Sequence, residues 1–181
     1  MATIQVSPLA GQQSLAGRVA GDLFWSRIQA TVRSLPPDAK VTIDLLGIIG
    51  ITDSYFSAAF WPIWSQPQHL TPVFMNAELD VEADVDTTLR KWGASVWSVH
   101  HDRAAHRVLG ELSAEDLLTL DACANSGPAT ASFLHGAFPN VGRTAWSNRL
   151  NALYDRRLLT RSKDGRALAH ILPWPEEVEH G

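Results

Sequence analysis

Five polar side chains in the last third of the chain have the types and spacing of a surface that reads nucleic acid. Arg143, Thr144, Ser147, Asn148 and Asn151 fall on one side of a helical projection. Arginine donates to phosphate oxygens and guanine edges, asparagine pairs with adenine, and serine and threonine bond to either, so the set covers both parts of duplex recognition. Three further cations follow at Arg161, Lys163 and Arg166. From Pro128 to Leu172 there are seven Arg or Lys against two Asp, a local balance of +5 in a chain of net charge −4. A basic patch on an acidic chain is the electrostatic footprint of a nucleic-acid surface. The same residues also suit a solvated helix and hairpin that dock on a protein.

These side chains need a helix and a hairpin to hold them. Trp146, Leu150 and Leu153 recur at i, i+4 and i+7, which predicts a helix opening after Pro139 with one buried face opposite the polar one. Leu158 and Leu159 leave that helix, and Lys163-Asp164-Gly165-Arg166 reads as the turn between two short strands. The second strand, Ala167 to Leu172, stops at Pro173, which cannot donate to a ladder. Upstream, Ser113-Ala114-Glu115-Asp116 has the form of a capping box with acids in the first turn, and Leu117, Leu118, Leu120 and Ala124 follow. Gly127-Pro128 breaks that helix, and Ala129 to Gly136 predicts a short one. Gly136 and Pro139 bracket the turn before the polar helix.

Residues 112–172 together resemble a winged helix-turn-helix domain of the bacterial-regulator type. The motif that ends the recognition helix and enters the wing is carried here by Thr144, Trp146, Ser147, Arg149, Leu150, Leu153, Leu158 and Leu159. Trp146 stands where that pattern has a small aliphatic residue. The resemblance implies an α+β domain over 112–175 that contacts double-stranded DNA through Arg143, Thr144, Ser147, Asn148, Asn151, Arg161, Lys163 and Arg166.

The first half has another rhythm. Val19, Leu23, Ile28, Val32 and Leu35 predict one apolar stripe on a helix from Gly17 to Leu35, closed by Pro36-Pro37. Val41, Ile43 and Leu45 mark a strand, punctuated by Gly47 and Gly50. Thr52-Asp53-Ser54 has the look of a helix N-cap, with Ser54 as the residue that satisfies the free amides. The helix it opens would bury Phe56, Phe60 and Ile63, and Pro62 ends or bends it. Residues 72–75 predict a strand, 81–92 a helix and 95–99 another strand. Alternation of helix and strand argues for an α/β layer, helices on one sheet, over residues 1–102. The stretch His101 to Leu112 reads as a short connector.

Gly17-Arg18, Ile43-Asp44, Gly47, Ile51-Thr52 and Ser54-Tyr55 give residues 15–100 a pattern similar to the STAS-like family, related to the anti-sigma-factor antagonists. That resemblance implies a mixed sheet with helices, with dimerisation, partner docking or sensing as its role. It also marks Asp53 and Ser54 as a candidate docking or phosphorylation step, although Tyr55 and Phe56 replace the small residues that follow in the family.

Other features bound the remaining function classes. Five of seven Trp (Trp25, Trp61, Trp64, Trp92, Trp97) lie in the first half, which suggests a thick core or a contact face around Trp61 and Trp64. Cys123, the only cysteine, excludes an intramolecular disulfide, reads as a small core residue and suits a cytoplasmic location. No apolar run is long enough for a membrane span, and no leader pattern opens the chain. There is no phosphate loop and no Cys or His spacing for a metal. His100, His101 and His106 cluster with Asp102, but neighbouring strand residues point to opposite faces. Glu78, Asp80, Glu82, Asp84 and Asp86 read as the solvated start of a helix rather than a calcium loop, which needs a glycine at its turn. The expectation is a DNA-binding transcriptional regulator, not an enzyme and without a cofactor. The alternative is a partner-switching adaptor in which both halves contact proteins.

Overall fold

Strand order decides where the helices of the first half must lie. The computed structural model describes residues 2–100, 105–164 and 167–173. It divides into two units, Met1–Leu112 and Ser113–Gly181. The N-terminal unit runs β1 (Ala2–Gln5), α1 (Val6–Ala10), β2 (Ser14–Leu15), α2 (Arg18–Arg33), β3 (Lys40–Asp44), β4 (Gly50–Ile51), α3 (Asp53–Ala59), α4 (Trp61–Trp64), β5 (Thr71–Met75), α5 (Leu79–Lys91), β6 (Ser95–His100) and β7 (Ala105–Gly110). Its main sheet has the order β1-β3-β5-β6-β7, parallel until β7, which joins β6 antiparallel. The parallel strands step across the sheet in one direction. Right-handed crossovers then put α2, α3 and α5 on the same face.

That face holds the core. Val41, Ile43, Phe74, Val96 and Leu109 from the strands meet Phe24, Ile28 and Val32 of α2, Phe56 of α3, and Val81, Val85 and Leu89 of α5. Helix α2 presses closely on α3, because a Cβ on Gly21 would lie 2.7 Å from both the Ala58 Cβ and the Tyr55 carbonyl. This contact turns α2 from the expected stripe. Gly21, Phe24, Ile28 and Val32 are buried, whereas Val19 and Leu23 are 74 % and 57 % exposed.

The fold class is thus mixed α/β with a mixed sheet, and the sequence reading missed its two edges. The first strand, β1, lies in a stretch too short to show a period. The last, β7, occupies the expected connector, and its Leu109 is buried opposite Val96. Phe56, Phe60 and Ile63 are buried as expected, and the helix bends at Phe60 just before Pro62. Among the tryptophans of this unit Trp97 is buried, and Trp25, Trp61, Trp64 and Trp92 are half-buried. Trp61 stacks on Trp64 at 5.7 Å and meets Trp92 edge-on at 4.5 Å.

The C-terminal unit contains α6 (Ala114–Ser126), α7 (Ala131–Ala137), α8 (Arg143–Asp155) and the antiparallel pair β8 (Thr160–Asp164) and β9 (Ala167–Ile171). Ser113 and Asp116 form the capping box on α6. The exposed side chains of Leu117 and Leu118 are a departure from the expected apolar stripe, since Thr119, Leu120, Ala122 and Cys123 are the buried residues of α6. Burial pushes the Cys123 thiol up to about 11. A single bridge joins Ala129, between α6 and α7, to His170 on β9. No helix among the described residues is long and apolar enough to cross a membrane.

Candidate nucleic-acid interface

Helix α8 is two-sided. Trp146, Leu150, Leu153 and Tyr154 are buried, and α6 and α7 pack against it. The turn before it is pinned by His135 of α7, whose Nδ1 lies 2.9 Å from the Val141 carbonyl oxygen. After Asp155 the chain reverses at Arg157, which adopts a left-handed conformation (φ 63°), and buried Leu158 and Leu159 lead into β8. Its outer side exposes Arg143, Thr144 and Asn148, with Ser147 and Asn151 half-buried beside them.

These five candidates do not share one state. Arg143 makes no hydrogen bond or ion pair among the described residues. Asn151, by contrast, accepts a hydrogen bond from the Arg161 guanidinium at 2.6 Å. That guanidinium also donates from Nε to His170 Nε2 at 3.2 Å and lies 3.5 Å from the centre of the Tyr154 ring. Arg161 is therefore a tie between α8 and the hairpin rather than a projecting cation. The Lys163 side chain and all of Arg166, with the turn between the strands, lie outside the described residues, as do His101 and Asp102.

His170 completes this node. It is buried, its Nε2 accepts from Arg161, and its Nδ1 has no hydrogen-bond partner. Burial, with Arg161 adding to it, pushes its pKa down to about 4, so the ring is neutral and can accept.

Two further arginines of the unit face acids on α6. Arg149 pairs with Glu115 and lies over the Trp146 ring, and Arg156 pairs with Asp116 at 2.7 Å. Burial alone would raise the Asp116 carboxyl, but hydrogen bonds from Ser113 and the Arg156 guanidinium outweigh it and hold it below its ordinary value.

In the N-terminal unit the candidate step at Asp53 and Ser54 opens α3. Ser54 is exposed but is not the cap. Thr52 is, its hydroxyl accepting from the Tyr55 amide and also from Gly17 N at the start of α2, both at 3.3 Å. Asp53 pairs with Lys91 at 2.9 Å.

Glu82 corrects the picture of a solvated acidic helix start. It is 1 % exposed and takes bonds from Ser98 and His100 on β6 and Arg107 on β7. The signal was present in the pattern, because Glu82 shares a stripe with Val81, Val85 and Leu89 on α5. His106 lies across the strand from Val99, on the sheet face opposite His100 and Arg107. Among the described residues no group of three or more His, Cys, Asp or Glu is placed to hold a metal. Comparison with known protein families, curated proteins and solved structures finds no match.

Proposed function

We propose that this chain is a DNA-binding transcriptional regulator of a reducing cytoplasm. In this reading α8 enters the major groove as the recognition helix of a winged helix-turn-helix, with the β8–β9 hairpin as its wing. The STAS-like N-terminal unit serves dimerisation, partner docking or sensing. The observation that carries the reading is the outer side of α8. Arg143, Thr144 and Asn148 are exposed there on a helix whose opposite side is locked into a core, and duplex readers use this disposition.

Fluorescence anisotropy against labelled duplex DNA, titrated with salt, tests it. With Arg161 tied internally, neutralisation of one phosphate each by Arg143, Lys163 and Arg166 gives a log-log slope of about −3. A variant carrying Arg143→Ala and Asn148→Ala is expected to lose about 1 to 3 kcal/mol per base-edge contact. Absence of binding at low salt, with circular dichroism unchanged, overturns the reading. It favours instead the partner-switching adaptor, which draws on the exposed apolar pair Val19 and Leu23 of α2.

A further inference from the structure

Helix α2 turns a second, narrower stripe to solvent. Gly21, Phe24, Ile28 and Val32 face the core, and the side opposite them carries Val19, Leu23, Ser26 and Ala30, all exposed. Their spacing of four, three and four residues is that of a coiled-coil seam. A single exposed apolar residue needs no partner. Two in line, followed by two small residues that let another backbone come near, make a face for a second helix.

The charges beside the stripe say which helix that is. Asp22 lies on one flank of the seam and Arg27, five residues on, lies on the other. In a parallel pair of identical helices this is the g to e′ relation, in which the acid of one helix meets the base of its twin. Two-fold symmetry makes the pairing occur twice. Neither group is fully engaged within the chain. Asp22 comes only within 4.0 Å of Arg18, and both side chains are mostly in water. Arg27 donates to the Leu9 carbonyl, which holds its guanidinium on that flank, and it has no carboxylate partner among the described residues. An antiparallel pair would set each flank against its own kind and leave Arg27 without Asp22. Arg33, the next seam position, would put like charges together, so the contact is confined to the three turns from Val19 to Ala30.

We propose that the outer stripe of α2 is a self-association face, on which two copies of this chain dimerise through parallel α2 helices. Val19 and Leu23 meet their counterparts across the axis, and Asp22 of each copy pairs with Arg27 of the other. The proposal rests on the dimerisation role given to the N-terminal unit and supplies its surface. Three turns of helix bury less than the roughly 1,200 Å² of a stable complex, which makes this a weak dimer with a Kd of about 10 to 100 μM.

The test is sedimentation equilibrium of the full chain without DNA, over about 1 to 500 μM. A monomer–dimer equilibrium is expected. Leu23→Glu, at an exposed position, is expected to abolish it with circular dichroism unchanged. Asp22→Arg and Arg27→Asp are each expected to weaken it about tenfold. An equimolar mixture of those two variants is expected to restore it, because only the mixed pair sets opposite charges together. A monomer at every concentration would overturn the proposal and leave the stripe to a different protein. A dimer untouched by Leu23→Glu, or a mixture no tighter than its components, would overturn it too. Duplex binding by α8 does not enter the measurement, so either reading can fail alone.

Discussion

The two units place their charges in opposite ways. In the N-terminal unit three carboxylates bolt one helix to its neighbours, and one of them, Glu82, is turned fully inward. Glu82 reaches Ser98, His100 and Arg107, while Asp84 accepts from the Ile51 amide and Asp86 from that of Gly110. Helix α5 is thereby held to β4, β6 and β7. In the C-terminal unit the charges stay near the surface, and arginines are the held partners. Arg149, Arg156 and Arg161 are engaged within the unit. From Ser113 to Leu172 the chain has seven Arg or Lys against five Asp or Glu. The strong local excess therefore shrinks once α6 is included, because its Glu115 and Asp116 answer Arg149 and Arg156. A surface for nucleic acid is defined by the cations left over, not by the number present.

The largest break in that contrast is expected from the C-terminal core. Trp146 is buried against Phe138, 5.9 Å between ring centroids, with Arg149 over its ring. Trp146→Ala removes a buried aromatic, which typically costs about 3 to 5 kcal/mol. Hydrogen exchange followed residue by residue should show protection lost through α6, α7 and α8 and kept in β3 and β5. Loss in both regions together would mean that the units are not separate in stability.

Glu82→Ala comes next and acts in the other unit. It leaves Ser98 and His100 without their acceptor and Arg107 without its counter-charge. Arg107 is half in water, which limits the penalty to about 2 to 4 kcal/mol. Denaturant unfolding, read at β6 and β7, checks this. A cost under about 0.5 kcal/mol would show that the inward carboxylates are incidental.

Acid separates the units in a different way. Folded His170 titrates at about 4, against an ordinary value of 6.5. Between these values the unfolded chain holds a proton that the folded chain does not, so lowering the pH favours unfolding. The contribution is complete above about pH 6.5 and is lost as pH falls toward 4. It amounts to about 2 to 3 kcal/mol. Melting of the C-terminal unit should follow that window, and His170→Gln should flatten it. A pH profile unchanged by His170→Gln would remove the Arg161 node from the account.

What the chain spelled out in advance was the side of each helix governed by local pattern. The capping box at Ser113, the buried stripe of Trp146, Leu150 and Leu153, and the cluster of Phe56, Phe60 and Ile63 are all set by spacing of 3.6 residues. What escaped depends on partners distant in sequence. Close approach at Gly21 turned α2, and pairing with β6 made β7 a strand. A polar residue at an apolar position gave Glu82 away only once β6 and β7 supplied its donors. The candidate contacts divided for the same reason. Arg143 and Asn148 follow from their place on α8, whereas the engagement of Arg161 with Asn151 and His170 requires the hairpin to fold back.

The smallest expected effect is also the finest discriminator. Arg149 makes two contacts, an ion pair with the mostly exposed Glu115 and a cation–π contact 5.5 Å from the Trp146 ring centre. Exposed ion pairs contribute about 0 to 1 kcal/mol, and cation–π contacts at such sites about 0.5 to 1 kcal/mol. Arg149→Ala should therefore lower stability by about 1 kcal/mol, and the greater part should persist in a Glu115→Ala background. A double-mutant cycle separates the two, because the coupling it reports belongs to the ion pair alone. A coupling of about 0.5 kcal/mol or less fits a unit held by its apolar core, with its surface charges adjustable. A coupling above about 2 kcal/mol would put Arg149 and Glu115 in the same class as Glu82 and Arg107. The C-terminal unit would then rest on its ion pairs as the N-terminal one does, and the contrast between the units would fail.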